Sequence, residues 1–105
     1  MKKRKAYRSA RPFVERLLKE PEIRVMFEEE RAKTLIAEAV RSARIRAGLT
    51  QVELASRATT TQAVISRIES GTDSRTPSLT LLARIAGSCR AKLMFGFSFA
   101  KKAVI

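Results

Sequence analysis

Apolar positions along the chain follow two periods: three- or four-residue spacing from Pro12 to Gly87, then strict alternation from Lys92 onward. Pro12 can open a short helix carrying Phe13, Leu17 and Leu18, which Pro21 interrupts because proline lacks the N–H that an interior helical turn needs. From Glu22 the series Ile23, Phe27, Leu35, Ile36, Ala39, Val40, Ala43 and Ala47 makes an amphipathic stripe ending at Gly48, either as one helix or as two. Thr50 and Glu53 have the spacing of a capping box, so a helix starts at Gln51 and turns Leu54, Ala55 and Ala58 inward. Thr59-Thr60-Thr61 breaks the period and offers an N-cap before Gln62, and the next helix carries Val64, Ile65 and Ile68 and stops at Gly71. Asp73 to Pro77 reads as a loop, after which Ser78 caps a helix through Leu79, Leu82, Ile85 and Ala86 up to Gly87.

The closing segment has the other period. Leu93, Phe95, Phe97 and Phe99 alternate with Lys92, Met94, Gly96 and Ser98, which predicts a strand with one strongly apolar face. A lone strand leaves its N–H and C=O groups unmatched and its phenyl rings in water. Antiparallel pairing with its own copy across a two-fold axis resolves both, so the sequence predicts a homodimer.

At 105 residues there is room for one small domain, and 45% hydrophobic against 6% aromatic residues favours an aliphatic helical core over an all-β one. A core this small buries a modest fraction of its surface, which a second subunit would extend. Charge changes the picture more. Lys and Arg number 22 against 10 acidic residues, a formal +12, unevenly placed as +6 over residues 1–11, −2 over 12–40 and +8 over 41–105. Such a field attracts a polyanion, either nucleic acid or an anionic membrane. No run approaches the ~20 apolar residues of a membrane span. The basic start Lys2-Lys3-Arg4-Lys5 leads into Tyr7-Arg8-Ser9-Ala10-Arg11 and not into the apolar run of a signal peptide, so a cytoplasmic, nucleoid-associated protein with no membrane partner is expected. Cys89, the single cysteine, rules out an intrachain disulfide and reads as a small packing residue. With no His, no glycine-rich phosphate loop and no metal-ligand cluster, the usual acid–base and nucleophilic machinery is missing, so neither an enzyme nor a metal or other cofactor is expected. Glu28-Glu29-Glu30 reads as a solvated helical face, and Arg84, Arg90 and Lys92 as charges that keep the surface soluble.

Two helices of about eight residues joined by a four-residue turn make a helix-turn-helix unit. Residues 44–71 resemble the Xre/Cro/cI helix-turn-helix family without a gap, through Gly48-Leu49-Thr50-Gln51, Glu53-Leu54-Ala55, Ile65-Ser66-Arg67-Ile68-Glu69 and Gly71. The resemblance implies an all-α, five-helix lambda-repressor-like domain, here with an N-terminal helical extension and one C-terminal β-strand for dimerisation. It divides the chain into a basic flexible arm (1–11), the extension (12–34), the DNA-binding domain (35–88) and a dimerisation strand with its tail (89–105). The second helix of such a motif enters the major groove N-terminus first, which makes double-stranded operator DNA the expected partner. Thr61, Gln62, Ala63, Ser66 and Arg67 then face outward. Gln62 suits adenine, Arg67 guanine and Ala63 a thymine methyl, while Gln51, Thr61 and Arg75 are placed for phosphates. Glu69 is expected to brace against Arg44. Thr59 departs from the pattern: the family often has glycine there, in a left-handed turn that a β-branched residue adopts only with strain or altered geometry.

The flanks carry a looser resemblance to HigA-type antitoxins: Leu18-Lys19-Glu20-Pro21-Glu22-Ile23-Arg24 with Phe27, a long helix into the motif, Pro77-Ser78-Leu79 through Ala86, and the closing alternation. That likeness implies a repressor of its own operon in a toxin–antitoxin system, with a basic RelE-like (HigB-like) ribonuclease toxin as partner. The acidic 12–40 segment suits such a toxin electrostatically; the basic arm would repel it and suits DNA phosphates instead. The other readings are a stand-alone Xre-type transcriptional regulator and a toxin-neutralising scaffold without DNA readout.

Overall fold

The computed structural model describes residues 11–72 and 75–99. The basic arm up to residue 10, loop residues 73–74 and the tail from residue 100 lie outside them. Every regular element described is a helix: α1 (described over 11–17), α2 (Pro21–Arg46), α3 (Gln51–Arg57), α4 (Gln62–Ser70) and α5 (Leu79–Ser88).

Pro21 opens α2 where it was expected to interrupt a helix, because at the first helical position its missing N–H is one that no helical carbonyl would have paired. The guanidinium of Arg24 donates to the Leu18 carbonyl at 3.3 Å, tying the end of α1 to the new helix. The stripe from Ile23 onward forms one continuous helix of 26 residues, about 39 Å long at 1.5 Å per residue. Only its second half has neighbours to pack on. Ala37 and Val40 are buried, whereas every residue from 21 to 32 is exposed, Val25, Met26 and Phe27 among them. Of the expected stripe Val40 is buried and Ile36 and Ala43 are half-buried, whereas Ile23, Phe27, Leu35, Ala39 and Ala47 are exposed and the buried Ala37 was not part of it.

The core gathers Val40 from α2, Leu49, Leu54, Ala55 and Ala58 from and around α3, Ile65 from α4 and Ile85 from α5, with Ile36, Ile68, Leu81, Leu82 and Cys89 half-buried against it. Leu54 and Ile65 are wholly enclosed. Side-chain caps start the three short helices: Thr50 accepts from the Glu53 N–H while Glu53 accepts from the Thr50 N–H, Thr61 accepts from Val64, and Ser78 accepts from Leu81. The stops are as well defined. Three helices end in paired backbone bonds that reverse the chain through a left-handed residue: Gly48 (φ +72°), Thr59 (φ +58°) and Arg90 (φ +56°). After α3, for example, Thr59 N–H donates to Ser56 and Thr60 N–H to Ala55.

Thr59 therefore keeps the left-handed geometry that glycine commonly supplies at this turn and carries the strain of a β-branched side chain there. α4 ends at Gly71 (φ +70°), where an added Cβ would stand 3.4 Å from that of Ala37 on α2.

The strand expected from Lys92 does not form in the single chain. Residues 91–99 have no regular secondary structure, since a β-ladder requires a second strand and the described residues contain none. Leu93, Phe95, Phe97 and Phe99 stand exposed, with the rings of Phe95 and Phe97 edge to face at 5.6 Å between centroids.

Candidate nucleic-acid interface

α4 is amphipathic about its own axis. Ile65 is buried and Ile68 half-buried, which turns Gln62, Ala63, Ser66 and Arg67 to solvent. Thr61 is also exposed. Its oxygen caps the helix by accepting from the Val64 N–H at 3.2 Å, leaving the hydroxyl proton as a donor. Arg75 is exposed beyond the end of α4.

Behind this surface lies a chain of hydrogen bonds running outward from the core. Arg44 on α2 meets Glu69 on α4 with both arms of its guanidinium, Nε to Oε2 at 2.7 Å and Nη2 to Oε1 at 3.0 Å. Its remaining Nη1 donates to the Leu49 carbonyl at 2.9 Å. The two side chains are only 15% and 5% exposed, so their bonds form in surroundings that water screens poorly. Glu69 Oε1 also accepts from Gln51 Nε2 at 3.2 Å, and Gln51 Oε1 in turn accepts from Gln62 Nε2 at 2.9 Å. The Gln62 amide is thereby held at the N-terminus of α4 with one N–H engaged. Its second N–H and its carbonyl oxygen form the donor–acceptor pair that matches the N7 and N6 edge of adenine.

The network sets protonation as well. Burial works to raise the Glu69 carboxyl, but hydrogen bonds from Arg44 and Gln51 and the charges of Arg44 and Arg41 outweigh it, so the group lies below the ordinary carboxylate range. The hydrogen bond to Glu69 raises Arg44 in turn. Glu53 is lowered chiefly by the Thr50 backbone N–H of the capping box. Cys89 is pushed up by burial, the behaviour of a packed thiol and not of a nucleophile.

Of the residues singled out from sequence, Gln51, Gln62, Glu69 and Arg44 come together in one hydrogen-bonded chain, while Ala63, Ser66 and Arg67 share the exposed face of α4. Arg84 is more than a soluble surface charge: its Nε donates to the Ala58 carbonyl at 2.8 Å, holding the C-terminus of α3 from α5. No local pattern marks that contact, because its partner lies 26 residues away. Among the described residues no group of acidic, Cys or His side chains could hold a metal ion, and no helix is long and apolar enough to cross a membrane.

A short capped helix, a left-handed four-residue turn and a second helix with one face in solvent define a DNA-binding helix-turn-helix domain. The sequence model of the helix-turn-helix family matches residues 40–92, half of the chain, and the protein belongs to that family, of Xre type. This is a family of DNA-binding domains and not of enzymes, and membership makes the protein a DNA-binding regulator. No curated protein and no solved structure matches the chain.

Proposed function

We propose that the protein is a sequence-specific transcriptional repressor that binds operator DNA as a homodimer and acts as a HigA-like antitoxin against a basic RelE-like ribonuclease. The observation that carries DNA readout is the Arg44–Glu69–Gln51–Gln62 chain, which orients an amide at the exposed start of α4 before any DNA arrives. Gln62, Ala63, Ser66 and Arg67 read base edges in this arrangement, and Gln51, Thr61 and Arg75 hold phosphates. The field of a +12 chain adds sequence-independent attraction. Dimerisation through residues 92–99 is supported by exposed Leu93, Phe95, Phe97 and Phe99 at the end of a short domain, a patch that water disfavours and a second copy would cover. The antitoxin role is supported by the exposed first half of α2, where Glu28, Glu29 and Glu30 stand on a helix that also exposes Ile23, Met26 and Phe27. A partner with a basic rim and an apolar centre fits such a surface.

Fluorescence-anisotropy competition between operator and scrambled duplex tests the readout. Arg67→Ala is expected to weaken operator binding and relax preference at one base pair, for which a good bidentate pair supplies roughly 1–3 kcal/mol. Arg75→Ala is expected to weaken all sequences alike and to flatten the salt dependence. Equal losses for both variants on both duplexes would reject the assignment of reader and phosphate roles. Co-purification with a small basic product of the adjacent reading frame tests the partner, and a protein that binds operator but no such product is a stand-alone regulator.

A further inference from the structure

A cleft between α2 and the end of α4 places Lys33 beside Arg67 and Arg75, above a floor of Ile36, Ile68 and Gly71. Three basic side chains line this one cleft, so it attracts an anion. Lys33 Nζ donates to Glu30 Oε2 at 2.9 Å, with the lysine side chain 24% exposed and the glutamate 73% exposed. The lysine stem is thus laid along the protein while its charge meets a solvated carboxylate about one helical turn earlier on the same helix.

The dimensions of the cleft select its ligand. Its volume is about 20 Å³, room for one water-sized group. Small-molecule pockets are more than tenfold larger, at roughly 300 Å³ and above. A ligand for this cleft is therefore one that inserts a single oxygen and keeps the rest of its bulk and charge outside. A phosphodiester on a polymer backbone does that. Arg67 stands both on the cleft wall and on the exposed face of α4, so a DNA strand bordering the groove entered by α4 passes over the mouth.

We propose that Lys33 and Arg75 clamp one backbone phosphate of bound DNA in this cleft, and that Glu30 holds Lys33 in the free protein and gives it up to that phosphate. The clamp rests on the DNA-binding reading above and adds to it a contact from α2, outside the matched segment of residues 40–92. The exchange is feasible because a solvent-facing pair on one helix is weak, whereas a phosphate both replaces the carboxylate and releases condensed counterions. It also fixes the register of α4, since the clamped phosphate lies at the opposite end of that helix from Gln62.

The test is anisotropy titration of a duplex of arbitrary sequence over a range of salt concentrations, with wild type, Lys33→Gln, Glu30→Gln and the same-charge control Lys19→Gln, all checked for unchanged thermal melting. One phosphate contact corresponds to a log–log salt slope of about 0.9. Lys33→Gln is expected to make the slope shallower by about that amount and to weaken binding several-fold, beyond Lys19→Gln, while Glu30→Gln strengthens binding. Lys33→Gln behaving as Lys19→Gln does, or Glu30→Gln leaving affinity unchanged, overturns the clamp. In both cases wild type still binds, so the DNA-binding reading stands. Loss of all DNA binding by wild type itself would overturn both.

Discussion

Replacing Thr59 by glycine should stabilise the domain. Thr59 carries the left-handed turn between α3 and α4 at φ +58°, paired through its N–H to Ser56 and followed by the Thr60 bond to Ala55, so its backbone cannot relax without releasing both hydrogen bonds. A residue with a Cβ in that region costs roughly 1–2 kcal/mol, and β-branching places Thr toward the upper end. Glycine removes that strain but gives back about 0.5–1 kcal/mol in the entropy of the unfolded chain. The side chain is exposed, so its removal opens no cavity. The net expectation is a gain of about 1 kcal/mol, which for a domain of this size raises Tm by roughly 4–8 °C. Calorimetry at matched protein concentration reads this directly, with Thr59→Ala as the control that removes the branch but keeps the Cβ and should gain less. An unchanged or lowered Tm for Thr59→Gly would refute the strain argument, and equal gains for Gly and Ala would place the cost in the branch and not in the handedness.

Acid stability should report Glu69. Because its folded-state carboxyl lies below the ordinary range, its contribution is fully present above the unfolded-state value of about 4.3 and is lost as pH falls through the lower folded value. Glu69→Gln should therefore cost stability at neutral pH, roughly 2–3 kcal/mol for breaking a poorly solvated charge-assisted pair, and the difference from wild type should shrink in melts taken below pH 4. A difference constant with pH would contradict this. Phe95→Asp combined with Phe97→Asp should yield monomers by sedimentation, and an intact dimer would reject pairing through that segment.

Local signals made most of the helical boundaries legible in the sequence. Thr50, Thr61 and Ser78 cap the helices they were expected to open, because an N-cap is decided within three residues. Gly48 and Gly71 end theirs for an equally local reason. The left-handed residue at Arg90 was not legible, since an arginine there advertises no turn and only the geometry after α5 demands one. Burial along α2 was legible only in part: thirteen residues set Phe27 and Val40 on different faces of a helix with 3.6 residues per turn, and only the face of Val40 has a neighbouring helix beneath it. Of the hydrogen-bonded chain, the Arg44–Glu69 brace was legible through the family resemblance, whereas the links from Glu69 to Gln51 and from Gln51 to Gln62 were not. Nothing local in the sequence marks Lys33, and only the meeting of α2 with the end of α4 brings it to the same cleft as Arg67 and Arg75.

The Arg44–Glu69 pair raises a question that its energetics answer. A buried ion pair seldom stabilises more than apolar side chains of the same shape, because desolvating two charges offsets most of their attraction. What this pair supplies that leucine and methionine lack is direction. The guanidinium fixes the roll of α4 against α2, and the spare lone pairs of Glu69 hold Gln51, which holds Gln62. Replacing both partners together, Arg44→Met with Glu69→Leu, leaves no unpaired charge. The double variant is expected to keep a melting temperature within a few degrees of wild type, whereas Arg44→Met alone, which strands the carboxylate, should lose roughly 3–5 kcal/mol. The double variant should nevertheless discriminate poorly at the base pair read by Gln62, since the amide is no longer oriented, while retaining its affinity for scrambled DNA. Wild-type discrimination in the double variant would mean that Gln62 orients itself on the DNA, and the hydrogen-bonded chain would then be only a brace between helices.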